Sequence, residues 1–583
     1  MNNIKLNNYF KTSPYLWDIS IIIILFLTTV IINLQMIRYG LNGLGDIRWH
    51  ITWVQHFAKQ LAEGIWYPRW LAGTNFGYGS PTFVFYPPFV YYVGSLFRLI
   101  GLNSEQTMTA LFSLPLFLSG VTFYIYSRSK WGKIPGTFGA LFYMSCPAII
   151  SAINFGNLTN LWAYPWIPLG LYLTDRSLVK PKGRISLALF ATIVALTHTP
   201  SLLIYTIAWF VYVLFRLSDK PFQEVMLTFI HGIMGLGIAS FYLWPAIFEQ
   251  KFVNLDYQFG SMGGFLMLQT SHLINNGWSD IVVKNIAALI IFVVISISIC
   301  RREKTVITNT LLWLTFTVIV FFMISSWSEA IWQSSQTLLR IQRSGRLFGL
   351  FYLGVAALCA LAIRAILQLN WKWRIFPFVL ILSILLTNFH YGYGLTRQSP
   401  GLHLPTKGTV FIREWMEIAL SDPDSDKLID VPEYRPLLQN ASYSPTVRET
   451  YKNFDQPYIE GGNAYFPVPK IGEAKISLIS GEASVDIKEW KSYQRTFEIA
   501  ATKPSTIRIR TYYYPAWHLY LNEQSYPLNM SEDGTINFEI QPGSYQVKLN
   551  YHLTKAFNQG IVLSIISLFS LIILDGLVLK EKI

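Results

Sequence analysis

Apolar runs about as long as a bilayer is thick recur along this chain, at residues 19–37, 107–126, 134–153, 162–173, 185–217, 225–247, 281–300, 309–325, 347–367, 375–387 and 560–579. A helix rises 1.5 Å per residue, so roughly 20 apolar residues cross the ~30 Å hydrocarbon core. Within that core every backbone amide must be bonded inside the chain, which leaves a helical bundle as the arrangement these runs can take. Composition agrees: 52% of residues are hydrophobic and 14% charged, against roughly 25% charged in soluble domains. The formal net charge of +13 raises nucleic acid as a partner. No long basic run supports it, and Lys and Arg gather at the ends of apolar segments, where lipid headgroups are their partners. Cys146 and Cys359 lie in apolar runs and Cys300 precedes Arg301, which argues against disulfides and against a Cys-based metal site.

Short basic loops orient the bundle. Lys5 and Lys11, Arg128 to Lys133, Arg176 to Arg184, Arg216 and Lys220, Arg301 to Lys304, Lys372 and Arg374, and Lys580 and Lys582 are expected on the cytoplasmic face of a plasma (inner) membrane. The first run lacks a small-residue cleavage site and reads as a retained anchor. For all basic loops to share one face, residues 83–99, interrupted by Pro87-Pro88, must not cross fully. Residues 185–217 must then be two short helices broken at Thr197-His198-Thr199-Pro200. That places His198 with Asp46 on the outer face; a single tilted helix with His198 inside the bundle is the competing arrangement.

From about residue 391 the apolar runs stop and alternation begins, as in Thr506-Ile507-Arg508-Ile509-Arg510 and residues 544–551, with a turn at Gln541-Pro542-Gly543. Period two with such punctuation reads as half-buried antiparallel strands. A short helix is expected at 411–420. The expected architecture is a mainly α polytopic membrane protein with about 11 to 13 transmembrane helices, an exported mainly β domain and a final transmembrane helix. Its parts are a membrane domain at 1–390 with an outer catalytic-type loop at 38–82, an exported α/β to mainly β domain at 391–555, and a last helix with a short cytoplasmic tail at 556–583.

The first outer loop carries the most chemistry. Asp46 follows the first span, and a carboxylate at the membrane surface can take a proton from an acceptor hydroxyl or hold a divalent ion against a phosphate. His50 lies four residues on, on the same helical face, with Asp46 able to cap that helix. Arg69, between Pro68 and Trp70, can grip a phosphate bidentately or stack on an indole. His198, beside a helix break, and Arg343 and Arg346, three residues apart before an apolar run, are further phosphate candidates. Tyr78 and Tyr86 can contact sugar or belong to an aromatic belt. Asn157 and Glu249 sit on proposed outer turns as substrate contacts, with helix capping and solvation as the plainer readings.

Asp46 with His50, Trp66-Tyr67-Pro68-Arg69-Trp70, Gly77-Tyr78-Gly79 and Phe85-Tyr86-Pro87-Pro88 resemble the first-loop pattern of bacterial membrane proteins named 6-pyruvoyl-tetrahydropterin-synthase-related. These in turn resemble polytopic GT-C glycosyltransferases. The likeness extends through Thr197-His198-Thr199-Pro200 and Tyr242-Leu243-Trp244-Pro245 to Tyr434-Arg435-Pro436, while Gln342-Arg343-Ser344-Gly345-Arg346 departs from the aromatic run expected there. Tyr513-Tyr514-Pro515-Ala516-Trp517 is similar to the C-terminal sheet domain of related large membrane proteins. The pterin name carries no chemistry here, because such a synthase needs a three-histidine zinc cluster and His198, His231, His272 and His390 are scattered.

The resemblance implies a membrane glycosyltransferase of the cell envelope. It would move a hexosyl or pentosyl unit from a polyprenyl-phosphate donor to a glycan, lipid or protein acceptor on the outer face. Asp46 would be the acid/base group or the ligand of a divalent metal, Mg2+ or Mn2+, with no other cofactor. A non-enzymatic lipid-glycan transporter or envelope-assembly scaffold is the alternative, and a sugar-sensing membrane protein a third reading.

Overall fold

In the computed structural model the described residues are 14–41, 45–180, 182–255, 278–300, 303–398, 430–438, 448–453, 456–460, 469–470 and 472–580. The helix expected at 411–420 lies outside them. Seven described helices are long and apolar enough to cross a membrane. They become eight when Phe222–Ile238 and Ser240–Phe248, bent by 67°, count as one span. Four shorter apolar helices, Leu16–Ile32, Phe89–Leu99, Gly183–Ala195 and Val283–Ile299, accompany them. Ser344–Ile366 is the central helix, with 94% of its most apolar window buried, whereas Lys555–Gly576 at 17% faces outward along its length.

Both expected interruptions are present. Thr82–Phe85 ends before Pro87-Pro88 and helix Phe89–Leu99 follows, while Lys182–Ala195 and Thr199–Phe215 are separate helices. The two breaks meet, since Phe89 N–H donates to the Leu196 carbonyl at 2.9 Å. Proline leaves carbonyls without their helical partner, and each break satisfies part of the other. His198 caps the second helix, its ring accepting from the Ser201 amide.

The basic loops gather at one end of the bundle. Lys130 (2.6 Å) and Arg216 share Asp175, Arg128 pairs with Asp18 at 3.0 Å, and Arg364 joins Glu303 at 2.8 Å and the Lys130 carbonyl at 3.4 Å. Helix Trp371–Gln398 runs through position 390 and ends the membrane-spanning series before the strands begin.

Two sheets then stack, as the alternation demands. One has Ser505–Tyr512 between Ile476–Ser480 and Thr535–Ile540, with Asn529–Met530 at its edge; the other orders Ala483–Trp490, Gln494–Ala501, Gly543–Tyr551, Trp517–Leu521 and Gln524–Tyr526. All described pairings are antiparallel. Phe497, Ile499, Ile507, Ile509, Phe538, Val547 and Leu549 fill the space between the sheets. This unit docks on the first loop: Tyr512 N–H donates to the Tyr78 carbonyl at 2.9 Å, and the Tyr493 hydroxyl accepts from the Trp70 amide at 2.9 Å.

Candidate functional site

Helix Ile47–Ala62 follows Asp46 directly, and its apolar face packs under the aromatic segment: Trp53 lies 4.7 Å from Tyr86, and Phe57 4.8 Å from Phe83, centroid to centroid. Asp46 makes no capping bond to this helix through its side chain; its exposed carboxylate is held in place by the backbone. Gly45 adopts φ +59° and Asp46 N–H donates to the Phe155 carbonyl. A Cβ on Gly45 would lie 2.0 Å from that oxygen, so the turn that delivers Asp46 admits only glycine.

Around Asp46 the fold gathers side chains distant in sequence. Its charge acts on Tyr86, Tyr91 and Glu433. Arg346, in the short turn Ser344–Leu347 before the central helix, lies within electrostatic reach of Asp46, Tyr86 and Tyr164. Its guanidinium is aimed by bonds to the Ile341 carbonyl at 2.9 Å and Gln342 Oε1 at 2.7 Å. His198 lies within electrostatic reach of Arg346, and its Nδ1 lies 2.7 Å from Ser201 Oγ. Tyr86 reaches Thr159 Oγ1 at 2.9 Å, beside the half-buried Asn157. His50 is buried, its Nδ1 2.7 Å from the Tyr91 hydroxyl. Burial pushes its imidazole down to about 3, so it is neutral at pH 7. Arg343 is exposed and repels Arg346.

Three of the sequence candidates stand elsewhere. Arg69 is buried at the junction with the sheets and the last helix, its guanidinium 4.1 Å from the Phe557 ring and 5.3 Å from Tyr551. Glu249 accepts from Tyr514 and Thr554 there, and burial pushes its carboxyl up. Tyr78 donates to Glu473 Oε2 at 2.6 Å, and its ring lies tilted against that of Tyr512, 4.9 Å between centroids. All three join the membrane bundle to the sheets.

Two acids that sequence reasoning passed over enter the site. Asp430 is 1% exposed. Its carboxylate accepts from Trp53 Nε1 at 2.8 Å, Thr82 Oγ1 at 2.6 Å and Val431 N–H at 2.8 Å, so its oxygens are committed to binding the two loops together. Glu433, one turn on, is half-buried, and burial with the neighbouring charges of Asp430 and Asp46 pushes its carboxyl up to about 7. The signal was an acid pair within Asp430-Val431-Pro432-Glu433 next to the noted Tyr434-Arg435-Pro436, hidden because loop acids ordinarily read as solvated.

Among the described residues no three His, Cys, Asp or Glu side chains surround one point. Mg2+ and Mn2+ nevertheless need only one or two carboxylates when a substrate phosphate completes the shell. Asp46 and Glu433, two acids in electrostatic contact, fit such an ion.

Several solved structures are similar to parts of this chain. The oligosaccharyltransferase of Archaeoglobus fulgidus tethered to an acceptor peptide is 12% identical with a TM-score of 0.42, covering 74% of this chain and 61% of its own. The chain thus spans about three fifths of that protein. AglB from the same organism, in complex with an inhibitory peptide and a dolichol-phosphate, is 13% identical with a TM-score of 0.43 and coverages of 73% and 61%. ArnT from Cupriavidus metallidurans, bound to undecaprenyl phosphate, is 12% identical with a TM-score of 0.36 and coverages of 71% and 73%. No curated protein matches the sequence. The model of the 6-pyruvoyl-tetrahydropterin synthase related domain, a membrane-protein family, matches residues 83–399. With more than half its length matched, the chain belongs to the 6-pyruvoyl-tetrahydropterin synthase related family of membrane proteins.

Proposed function

We propose that the protein is a GT-C-type membrane glycosyltransferase that moves a sugar from a polyprenyl-phosphate donor to an envelope acceptor. The observation that carries this reading is an exposed acid, Asp46, within electrostatic reach of an aimed guanidinium, Arg346, which in turn acts on His198 at a helix break. Displacement of a phosphate at a sugar carbon has two electrostatic demands. The attacking hydroxyl must lose a proton, and the departing phosphate must have its charge met. Asp46 takes the proton as the acceptor oxygen bonds to the anomeric carbon. The carbon–oxygen bond to phosphate breaks, and Arg346, with His198 and Arg343 beside it, receives the anion. Tyr86 and Asn157 line the sugar's approach. His50 orders the floor through Tyr91.

Glu433, pushed up to about 7, exchanges protons near neutrality and suits the acid/base partner of Asp46. A divalent ion on Asp46 and Glu433 would supply charge neutralisation for the phosphate. Arg69, Tyr78 and Glu249 act in this scheme by holding the sheets over the loop. We place the site on the outer face of the membrane, where nucleotide sugars are scarce and a lipid-carried donor shares the bilayer with the enzyme.

The test is incubation of the full chain in proteoliposomes with a labelled polyprenyl-phosphate sugar and a mixed envelope acceptor fraction. Covalent transfer, lost in Asp46→Asn while insertion persists, supports the proposal. Full turnover by Asp46→Asn removes the role of Asp46. Movement of intact lipid across the bilayer without transfer favours the transporter instead.

A further inference from the structure

We propose that the sheet domain carries a second metal site, separate from Asp46, in which His518 and His552 bind a borderline transition-metal dication of the Zn2+ or Cu2+ class. Register brings them together. His518 pairs with Asn550 across the antiparallel strands, and His552, two residues beyond, donates its amide to the Ala516 carbonyl at 2.8 Å. With side chains alternating faces, His518, Tyr520, Asn550 and His552 share one face. Both imidazoles are exposed, with ring centroids 5.0 Å apart.

That separation suits one ion. Metal–nitrogen bonds of about 2.0–2.1 Å put the metal roughly 3.2 Å from each ring centroid, so a tetrahedral angle sets the centroids about 5.2 Å apart. Rotation about the soft Cβ–Cγ torsion turns each ring toward a common point.

The second observation is the outer hydrogen bonding. Ligating histidines ordinarily hand their other ring nitrogen to a carbonyl or comparable partner, which fixes tautomer and orientation. His518 Nδ1 donates to the Ala516 carbonyl at 3.0 Å, leaving Nε2 to bind. His552 Nε2 is 3.3 Å from the Tyr520 hydroxyl, leaving Nδ1. Asn550, at the register position between them, has an amide oxygen with no hydrogen-bond partner, an acceptor able to join the shell. Lys548, the nearest cation on this face, is paired with Glu523.

The experiment is Zn2+ titration calorimetry of the full chain in nanodiscs, paired with Cu2+ electron paramagnetic resonance. One equivalent should bind, with two coupled imidazole nitrogens. His518→Ala and His552→Ala should each weaken binding at least tenfold and remove a nitrogen, while Asp46→Asn retains the site. Absence of a stoichiometric site, or affinity unchanged in both histidine variants, overturns the proposal. Loss in Asp46→Asn alone assigns the ion to the other site and overturns it equally.

Discussion

Replacing Asp430 by Ala should unlatch the aromatic loop from the segment that carries Glu433. In the native protein the Asp430 carboxylate accepts from Trp53 Nε1, 377 residues away in sequence, and from Thr82 Oγ1. It is 1% exposed. Hydrogen bonds to a charged group are worth about 1.5–3 kcal/mol each, and a buried donor left without a partner costs about 1–3 kcal/mol. Two opposing effects reduce the total: burying the charge is itself unfavourable, and Thr82 can turn fully to Ser80 Oγ, 2.9 Å away. A net loss of about 3–4 kcal/mol follows, which at 1.4 kcal/mol per decade raises the open population roughly 10²- to 10³-fold. Hydrogen exchange read by mass spectrometry reports this directly. Amides of Ile47–Ala62 and of residues 430–436 should exchange faster by that factor, while Lys304–Ile324 remains protected. Asp430→Asn keeps one acceptor oxygen and should lose about half as much. Unchanged protection of both segments in Asp430→Ala would refute the latch.

Gly45→Ala forces a left-handed backbone costing about 1–2 kcal/mol and drives a Cβ into the Phe155 carbonyl. It should displace Asp46 by an ångström or so and cut transfer about 10²-fold while thermal unfolding in detergent changes little. Glu433, raised to about 7, binds its proton more tightly folded than unfolded. Its stabilising contribution is therefore full below about pH 4.3, its ordinary value, and lost as pH rises through 7. Glu433→Gln should flatten that slope in denaturation curves between pH 4.5 and 7.5. Gly235→Val would set a Cβ 2.1 Å from the Ala188 carbonyl, in the close packing of Phe222–Ile238 against Lys182–Ala195. A helix contact built on small residues tolerates no such group, so the detergent-solubilised protein should unfold several degrees lower; an unaltered midpoint would contradict that packing.

Much of the architecture was legible in advance because the relevant forces act locally. Twenty apolar residues must cross the bilayer wherever they pack, basic loops sort to one end, and period-two alternation makes half-buried strands. The breaks at Pro87-Pro88 and Thr197 to Pro200 were equally readable, since proline denies the helix a donor whatever surrounds it. The candidate site was legible only in part. Asp46 drew notice from its place after the first span, and Arg346 from its spacing to Arg343. Asp430 and Glu433 were not legible because nothing within ten residues reveals that Trp53 and Thr82 will close over Asp430.

By itself the sequence determined a membrane-embedded bundle, a mainly β domain of antiparallel strands and a last apolar helix, along with the residue types able to serve phosphate chemistry. Only the tertiary structure decided which of those residues stand together. It set Arg346 within electrostatic reach of Asp46 and His198 near Arg346, while sending Arg69, Tyr78 and Glu249 to the seam with the sheets. The physical reason is range. Hydrophobic periodicity and proline geometry act over a few neighbouring residues, whereas desolvation and charge pairing depend on which distant segments the packed chain brings within a few ångströms.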